Sequence, residues 1–218
     1  MSVIHVDFRV VGTKYLILKA LKELEQYDVL GFDTETRGVY PRVDREEAHE
    51  LLKSPKLDME HQRVCRLVAN NNGLSYPSLV SVTHFVFGIS ESQSVIIITD
   101  TPHLEMLVWK WVAAYKGLLV IHNTLFDLKI MYHRVKCLPQ NYEDSVLIIK
   151  AYINNADTWK ARVGLKDLMA EYYDPGWTLI DGYEPENLRD PAFLRYTAID
   201  GAAVRKLWDL ILEQRANG

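Results

Sequence analysis

An apolar strand that carries two acids is hard to bury. Residues 29–36 read Val-Leu-Gly-Phe-Asp-Thr-Glu-Thr. A strand turns alternate side chains to opposite faces, so Asp33 and Glu35 share one face. Like charges that close raise each other's pKa, and burying either without a partner is costly. A divalent cation between them removes both problems. A strand end running into a charged loop is the commoner origin of such a triplet, so Asp33-Thr34-Glu35 alone leaves both readings open.

The bulk numbers set wide bounds. A chain of 218 residues suits one α/β domain, or one with a sizeable insertion, and can bury a substantial core. It is 48% hydrophobic and 25% charged, the balance of an ordinary globular protein. No apolar run is long enough to span a bilayer and no signal-peptide pattern opens the chain, so a cytoplasmic protein without a membrane partner is expected. Cys65 and Cys137 lack a Cys-x-x-Cys spacing and read as thiols of a reducing compartment. The net charge of −4 does not advertise a nucleic-acid binder. It is still compatible with a nuclease whose metal ions carry the positive charge at the reacting phosphate.

Along the chain, residues 3–11 alternate enough for a short strand. Thr13 then caps a helix with Leu16, Leu18, Leu21 and Leu24 on its apolar face, ending near Tyr27. Residues 29–35 form the first central strand. Residues 37–76, with Pro41, a charged run over 42–50, Pro55 and the turn Asn70-Asn71-Asn72-Gly73, read as an insertion with one or two short helices. Residues 79–89 and 94–99 read as a hairpin, followed by a helix over 103–115 and a buried strand over 118–121. Helical patterns follow at 125–135, 145–153, 163–173 and 191–214. Strands in a meander followed by alternating helix and strand imply a mixed sheet covered by helices.

Further acids fall at telling places. The strand 118–121 runs into His122-Asn123, with Asn123 a plausible N-cap and Asp127 one turn into the next helix. The end of a central strand beside a helix start is where α/β folds tend to hold ligands. An acid set against the helix dipole explains Asp127 equally well. Within the last helix Tyr196 and Asp200 stand four apart, hence on one face. A phenol and an acid there can position water near a metal, or form an exposed pair. Asp144 is adequately explained as a charge at a helix N-terminus, and His122 as a packed strand-end histidine.

In this order, Asp-x-Glu on a strand, Asn-x-x-x-Asp at a strand-to-helix turn and Tyr-x-x-x-Asp on a helix, the chain resembles the DEDD superfamily of 3′–5′ exonucleases. The tyrosine places it nearest the tyrosine branch, and Arg195 stands where the histidine branch would carry its base. The likeness is closest to the proofreading domain of family A DNA polymerases, with RNase D as a cousin. Val163-Gly164-Leu165-Lys166-Asp167-Leu168 is similar to the Gly-Leu-Lys-x-Leu helix of that family. The resemblance implies an α/β, ribonuclease H-like fold: a mixed central sheet flanked by helices, with an insertion after the first catalytic strand, in a single domain over 1–218. The 37–76 insertion is longer than usual, and no polymerase region follows before Gly218. A free-standing bacterial or phage-encoded exonuclease is implied, acting alone or in trans with a separate DNA polymerase.

The resemblance also implies the chemistry. Asp33, Glu35 and Asp200 hold one divalent metal ion, and Asp33 bridges to a second held by Asp127. Oxygen-only ligands favour Mg²⁺ or Mn²⁺. Tyr196 orients the attacking water, since a phenol with a pKa near 10 is a poor base at neutral pH. Thr34, Val39, Asn123, Phe126 and Lys166 are candidate substrate contacts, with Thr34 offering its backbone N–H to the terminal nucleotide and Val39 as an apolar wedge between the last two bases. Arg162 and Lys166 are candidates for phosphate contact, and solvated surface charge explains both as well. The expected substrate is the 3′ end of single-stranded DNA, cut to nucleoside 5′-monophosphates. The rivals are an RNase D-like exoribonuclease, an enzyme for short oligonucleotides or nucleotide signals, and an inert exonuclease-like binding module.

Overall fold

The computed structural model describes residues 4–38, 80–152, 164–174, 176–177 and 187–217, with scattered positions between 49 and 66. The expected insertion lies almost wholly outside the described residues, as do Val39 and Arg162. In chain order the elements are β1 (Asp7–Val11), α1 (Lys14–Leu24), β2 (Val29–Gly38), β3 (Val80–Ser90), β4 (Gln93–Ile98), α2 (Pro102–Ala114), β5 (Leu118–Ile121), α3 (Thr124–Val135), β6 (Tyr142–Asp144), α4 (Ser145–Tyr152), α5 (Leu165–Tyr172) and α6 (Pro191–Asn217).

The strands join in one sheet, ordered β1-β4-β3-β2-β5-β6. β2, β3 and β4 form an antiparallel meander, while β5 pairs parallel to β2, β6 parallel to β5 and β1 parallel to β4. The mixed sheet follows from the spacing of the strands. The two residues between β3 and β4 permit only a hairpin, whereas α2 between β4 and β5 carries the chain across to the far side of β2.

Alternation along the strands loads both faces of the sheet. Leu30, Phe32, Phe85, Phe87, Leu119 and Ile121 face a core closed by α1, α2 and α3. The Phe32 ring sits 5.4 Å from Phe87 and 6.0 Å from Trp109, and Phe85 meets Trp109 edge-on at 4.7 Å. Val86, Ile96 and Val120 face the second core, under α4, α5 and α6. Caps set the helix starts. Thr13 and Thr101 accept from Leu16 N–H and Leu104 N–H, and Asp190 accepts from Ala192 N–H at 2.9 Å at the head of α6.

Several boundaries differ from those expected. The first strand begins at Asp7. The buried stripe of α1 is Ile17, Ala20, Leu21 and Leu24, a true helical face, while Leu16 and Leu18 are exposed. β2 extends to Gly38, so residues 37 and 38 belong to the strand rather than to the insertion. β6 was not expected, since three residues carry no readable period. Among the described residues no helix is long and apolar enough to cross a membrane.

Candidate active site

The acids meet midway along β2, beside the carboxyl end of β5, where Phe32 pairs with Ile121 just before Asp33. Asp33 and Glu35 project from one face of β2 toward α6, whose Asp200 comes up against them. One ligand oxygen from each of the three lies within 4.8 Å of the others. Thr34, between the two acids, points to the opposite face, and its hydroxyl donates to the buried Asp127 at the start of α3. That bond ties α3 to β2 and brings the fourth acid close enough to act on Asp33. Tyr196 lies one turn before Asp200 on α6, half-buried, with hydroxyl and carboxyl close enough to interact.

Burial and mutual repulsion govern the charge state. Desolvation, followed by Glu35, Asp127 and Asp200, holds Asp33 well above the usual carboxylate range. Burial and then Asp200 push Glu35 up to about 7, and Lys166 partly offsets them. Burial likewise pushes Asp127 up to about 7 against the Thr34 hydrogen bond. Asp200 is raised by burial and eased by Lys166 and Tyr196. The Tyr196 phenol is driven further up by burial and by Asp200, so it stays protonated at any ordinary pH.

A divalent cation fits this arrangement. The donors are all oxygens, and Asp200 Oδ1 is buried with no hydrogen-bond partner. The hydroxyl of Thr197, three residues before Asp200 on α6, is buried and acts on the Glu35 carboxylate. A buried carboxylate oxygen without a partner, beside clustered carboxylates, is what a cation would satisfy.

Glycines make the encounter possible. Gly31 and Gly88 face each other across β2 and β3, and α6 crosses over them. A Cβ on Gly88 would stand 2.0 Å from the Gly201 carbonyl oxygen, and one on Gly201 would stand 2.5 Å from Val86 Cγ1. Ser94 Oγ donates to the Ala198 carbonyl at 2.8 Å, pinning the helix two residues from Asp200. The motif reading missed these residues, although glycine inside a strand is itself a signal of close backbone approach.

The remaining candidates divide. Asn123 holds the N-cap position of α3, but it is in the left-handed region (φ 66°, ψ 64°) and its side chain makes no capping bond. Asp144 does that work. It accepts from Thr124 N–H at 3.0 Å and the Thr124 hydroxyl at 2.6 Å while capping α4 through Val146 N–H at 2.9 Å. This leaves the Asn123 side chain exposed at the site's edge. Phe126 packs half-buried against the core, and its neighbour Leu125 is the exposed member of the pair at 76%. Lys166 is no stray surface charge: its ammonium lies 4.2 Å from the centre of the Tyr196 ring. His122 is half-buried with Nδ1 2.9 Å from Ser145 Oγ, outside the acid cluster.

No family model matches the chain, nor does any curated protein sequence. Solved structures do share its fold. Brucella melitensis NrnC bound to pGG is 17% identical, with a TM-score of 0.57 over 99% of this chain and 83% of that one. Another structure of the same Brucella melitensis protein carries bound Mg²⁺. The catalytic core of RRP6 from Trypanosoma brucei is 11% identical, with a TM-score of 0.62 over 100% of this chain and 50% of that one. Escherichia coli RNase D, an exoribonuclease, is 12% identical, with a TM-score of 0.56 over 97% of this chain and 46% of that one. The architecture is therefore the ribonuclease H-like sheet with flanking helices that the motifs implied.

Proposed function

We propose that the protein is a metal-dependent 3′–5′ exonuclease of the tyrosine type, releasing nucleoside 5′-monophosphates from the 3′ end of a nucleic-acid strand. The convergence of Asp33, Glu35 and Asp200 oxygens within 4.8 Å carries this reading. Asp33, Glu35 and Asp200 would hold one Mg²⁺ or Mn²⁺, and Asp127 with Asp33 a second. Bound divalent ions supply charge neutralisation at the scissile phosphate and lower the pKa of the attacking water.

The other residues serve that chemistry by position. The Tyr196 phenol, held protonated, orients the water as donor and acceptor rather than removing its proton. Lys166, stacked on the Tyr196 ring, places a point charge beside the cluster for a substrate phosphate. The exposed Asn123 carboxamide is offered to the terminal nucleotide, and Leu125 with Phe126 gives its base an apolar wall. The Thr34 hydroxyl is committed to Asp127, so the contact of Thr34 with the terminal nucleotide would come from its backbone N–H.

An RNA or short oligonucleotide end is preferred to a DNA end. The structures sharing the fold include an exoribonuclease and a nuclease holding pGG, and these favour that choice over the proofreading of DNA in trans. The test uses 5′-labelled RNA, single-stranded DNA, duplex DNA and dinucleotides with Mn²⁺. Stepwise shortening from the 3′ end, fastest on RNA or dinucleotides and abolished by Asp33→Ala, is expected. Intact substrates in every arm would refute an exonuclease.

A further inference from the structure

We infer that His84 is a positioning residue that sets Glu35 on β2 against Tyr196 on α6, through a bulge built for the purpose. In the β2–β3 pairing Glu35 stands opposite His84 but Thr36 stands opposite Val82, so Thr83 is the extra residue of a bulge on β3. At the interrupted ladder the Thr83 hydroxyl comes within hydrogen-bond reach of the Glu35 carbonyl, at 3.2 Å. His84 shares Glu35's face of the sheet, is fully buried, and has both ring nitrogens engaged.

The donors and acceptors decide the ring's state. Nε2 lies 2.8 Å from the Leu188 carbonyl, which only accepts, so Nε2 carries the proton. Burial lowers the imidazole pKa and keeps it neutral. Nδ1, 2.9 Å from Thr83 Oγ1, is then an acceptor, and it shares the single Thr83 hydroxyl proton with the Glu35 carbonyl. The other links run to α6. Leu188 lies just before the Asp190 cap, and the His84 ring meets Phe193 edge-on at 5.1 Å. Phe193 in turn stacks on Tyr196 at 6.2 Å and 23°. One buried imidazole thus shares a hydroxyl with the backbone of a metal-site acid, and meets the approach to the helix and the ring that backs the tyrosine. An apolar side chain would fill the same volume without the cost of burying two polar nitrogens, so a packing role alone does not explain a histidine here.

The kinetic half of the test rests on the exonuclease reading; the metal half does not. His84→Leu, His84→Gln and Thr83→Val are compared by thermal melting, by calorimetric Mn²⁺ titration, and by kcat and KM on a 5′-labelled oligonucleotide well below each Tm. In folded His84→Leu, kcat should fall about 10–100-fold with KM within about twofold, because an ångström of misplacement costs on that order. Mn²⁺ affinity should fall about tenfold, as for other supporting-shell losses. His84→Gln, which offers an N–H to Leu188 and an oxygen to Thr83, should recover kcat to within about fivefold of wild type. Thr83→Val, with His84 still in place, should repeat the leucine phenotype in milder form. Wild-type kcat and Mn²⁺ affinity in folded His84→Leu overturn the assignment. If that variant does not fold, the same result in Thr83→Val overturns it. If the wild type binds Mn²⁺ but cleaves nothing, the exonuclease reading fails, and the Mn²⁺ affinities alone decide the role of His84.

Discussion

Asp33 and Asp200 come from elements separated by most of the chain, yet their carboxyl oxygens converge with Glu35's, and among the described residues Lys166 is the cation that eases Glu35 and Asp200. Removing an acid from such a cluster relieves repulsion, so Asp200→Asn should melt slightly higher than wild type without metal while losing Mn²⁺ binding by calorimetry. Tyr196→Phe separates positioning from binding. It should slow turnover about 10–100-fold, the order that a misplaced reacting group costs, and leave Mn²⁺ affinity within about twofold. Turnover at the wild-type rate would remove the proposed role of its hydroxyl. Spacing put Asp33 with Glu35 and Tyr196 with Asp200 on common faces, but only the resemblance to the exonuclease superfamily joined them with Asp127 in one site. The side-chain partners of Thr34 and Lys166 were not, because a hydroxyl or ammonium finds its acceptor only after distant elements have packed.

At the scale of elements, the site depends on how closely α6 lies on the sheet. Gly88→Ala would drive a methyl group into the Gly201 carbonyl, and neither backbone can yield cheaply. Overpacking of this kind costs about 1–3 kcal/mol, but the larger effect is expected on function. Lifting α6 carries Asp200 away from Asp33 and Glu35, so Mn²⁺ binding should weaken well beyond the loss in Tm. A second junction is Asp144, which caps α4 and holds the first residue of α3. Asp144→Ala strands several donors and should cost about 2 kcal/mol, read as a Tm lower by about 4–8 °C. Element types and order were readable from periodicity. The three-residue β6 and the burial stripe of α1 were not, since one is too short to show a period and the other competes with leucines on the adjoining face.

For the whole molecule the acid cluster links folding, metal and pH. Glu35 and Asp127 hold protons up to about pH 7 when folded, well above their ordinary values of 4.5 and 3.8. The folded state therefore binds more protons than the unfolded chain between about pH 4 and pH 7, and metal-free stability must fall as pH rises through that window. A divalent ion competes with those protons, so stabilisation by Mg²⁺ or Mn²⁺ should grow from pH 5 to pH 8, as melting curves with and without metal would report. A metal-free Tm that rises over the same range would contradict it. The sequence by itself determined the class of fold, the order of its elements and the acids at its centre, because hydrophobic periodicity and the spacing of charges along a chain are local properties. Only the tertiary structure decided that Thr34 binds Asp127, that a pair of strand glycines admits α6, and that a bulge at Thr83 brings His84 behind Glu35. Each of those depends on the distance between elements far apart in the chain, and packing alone sets that distance.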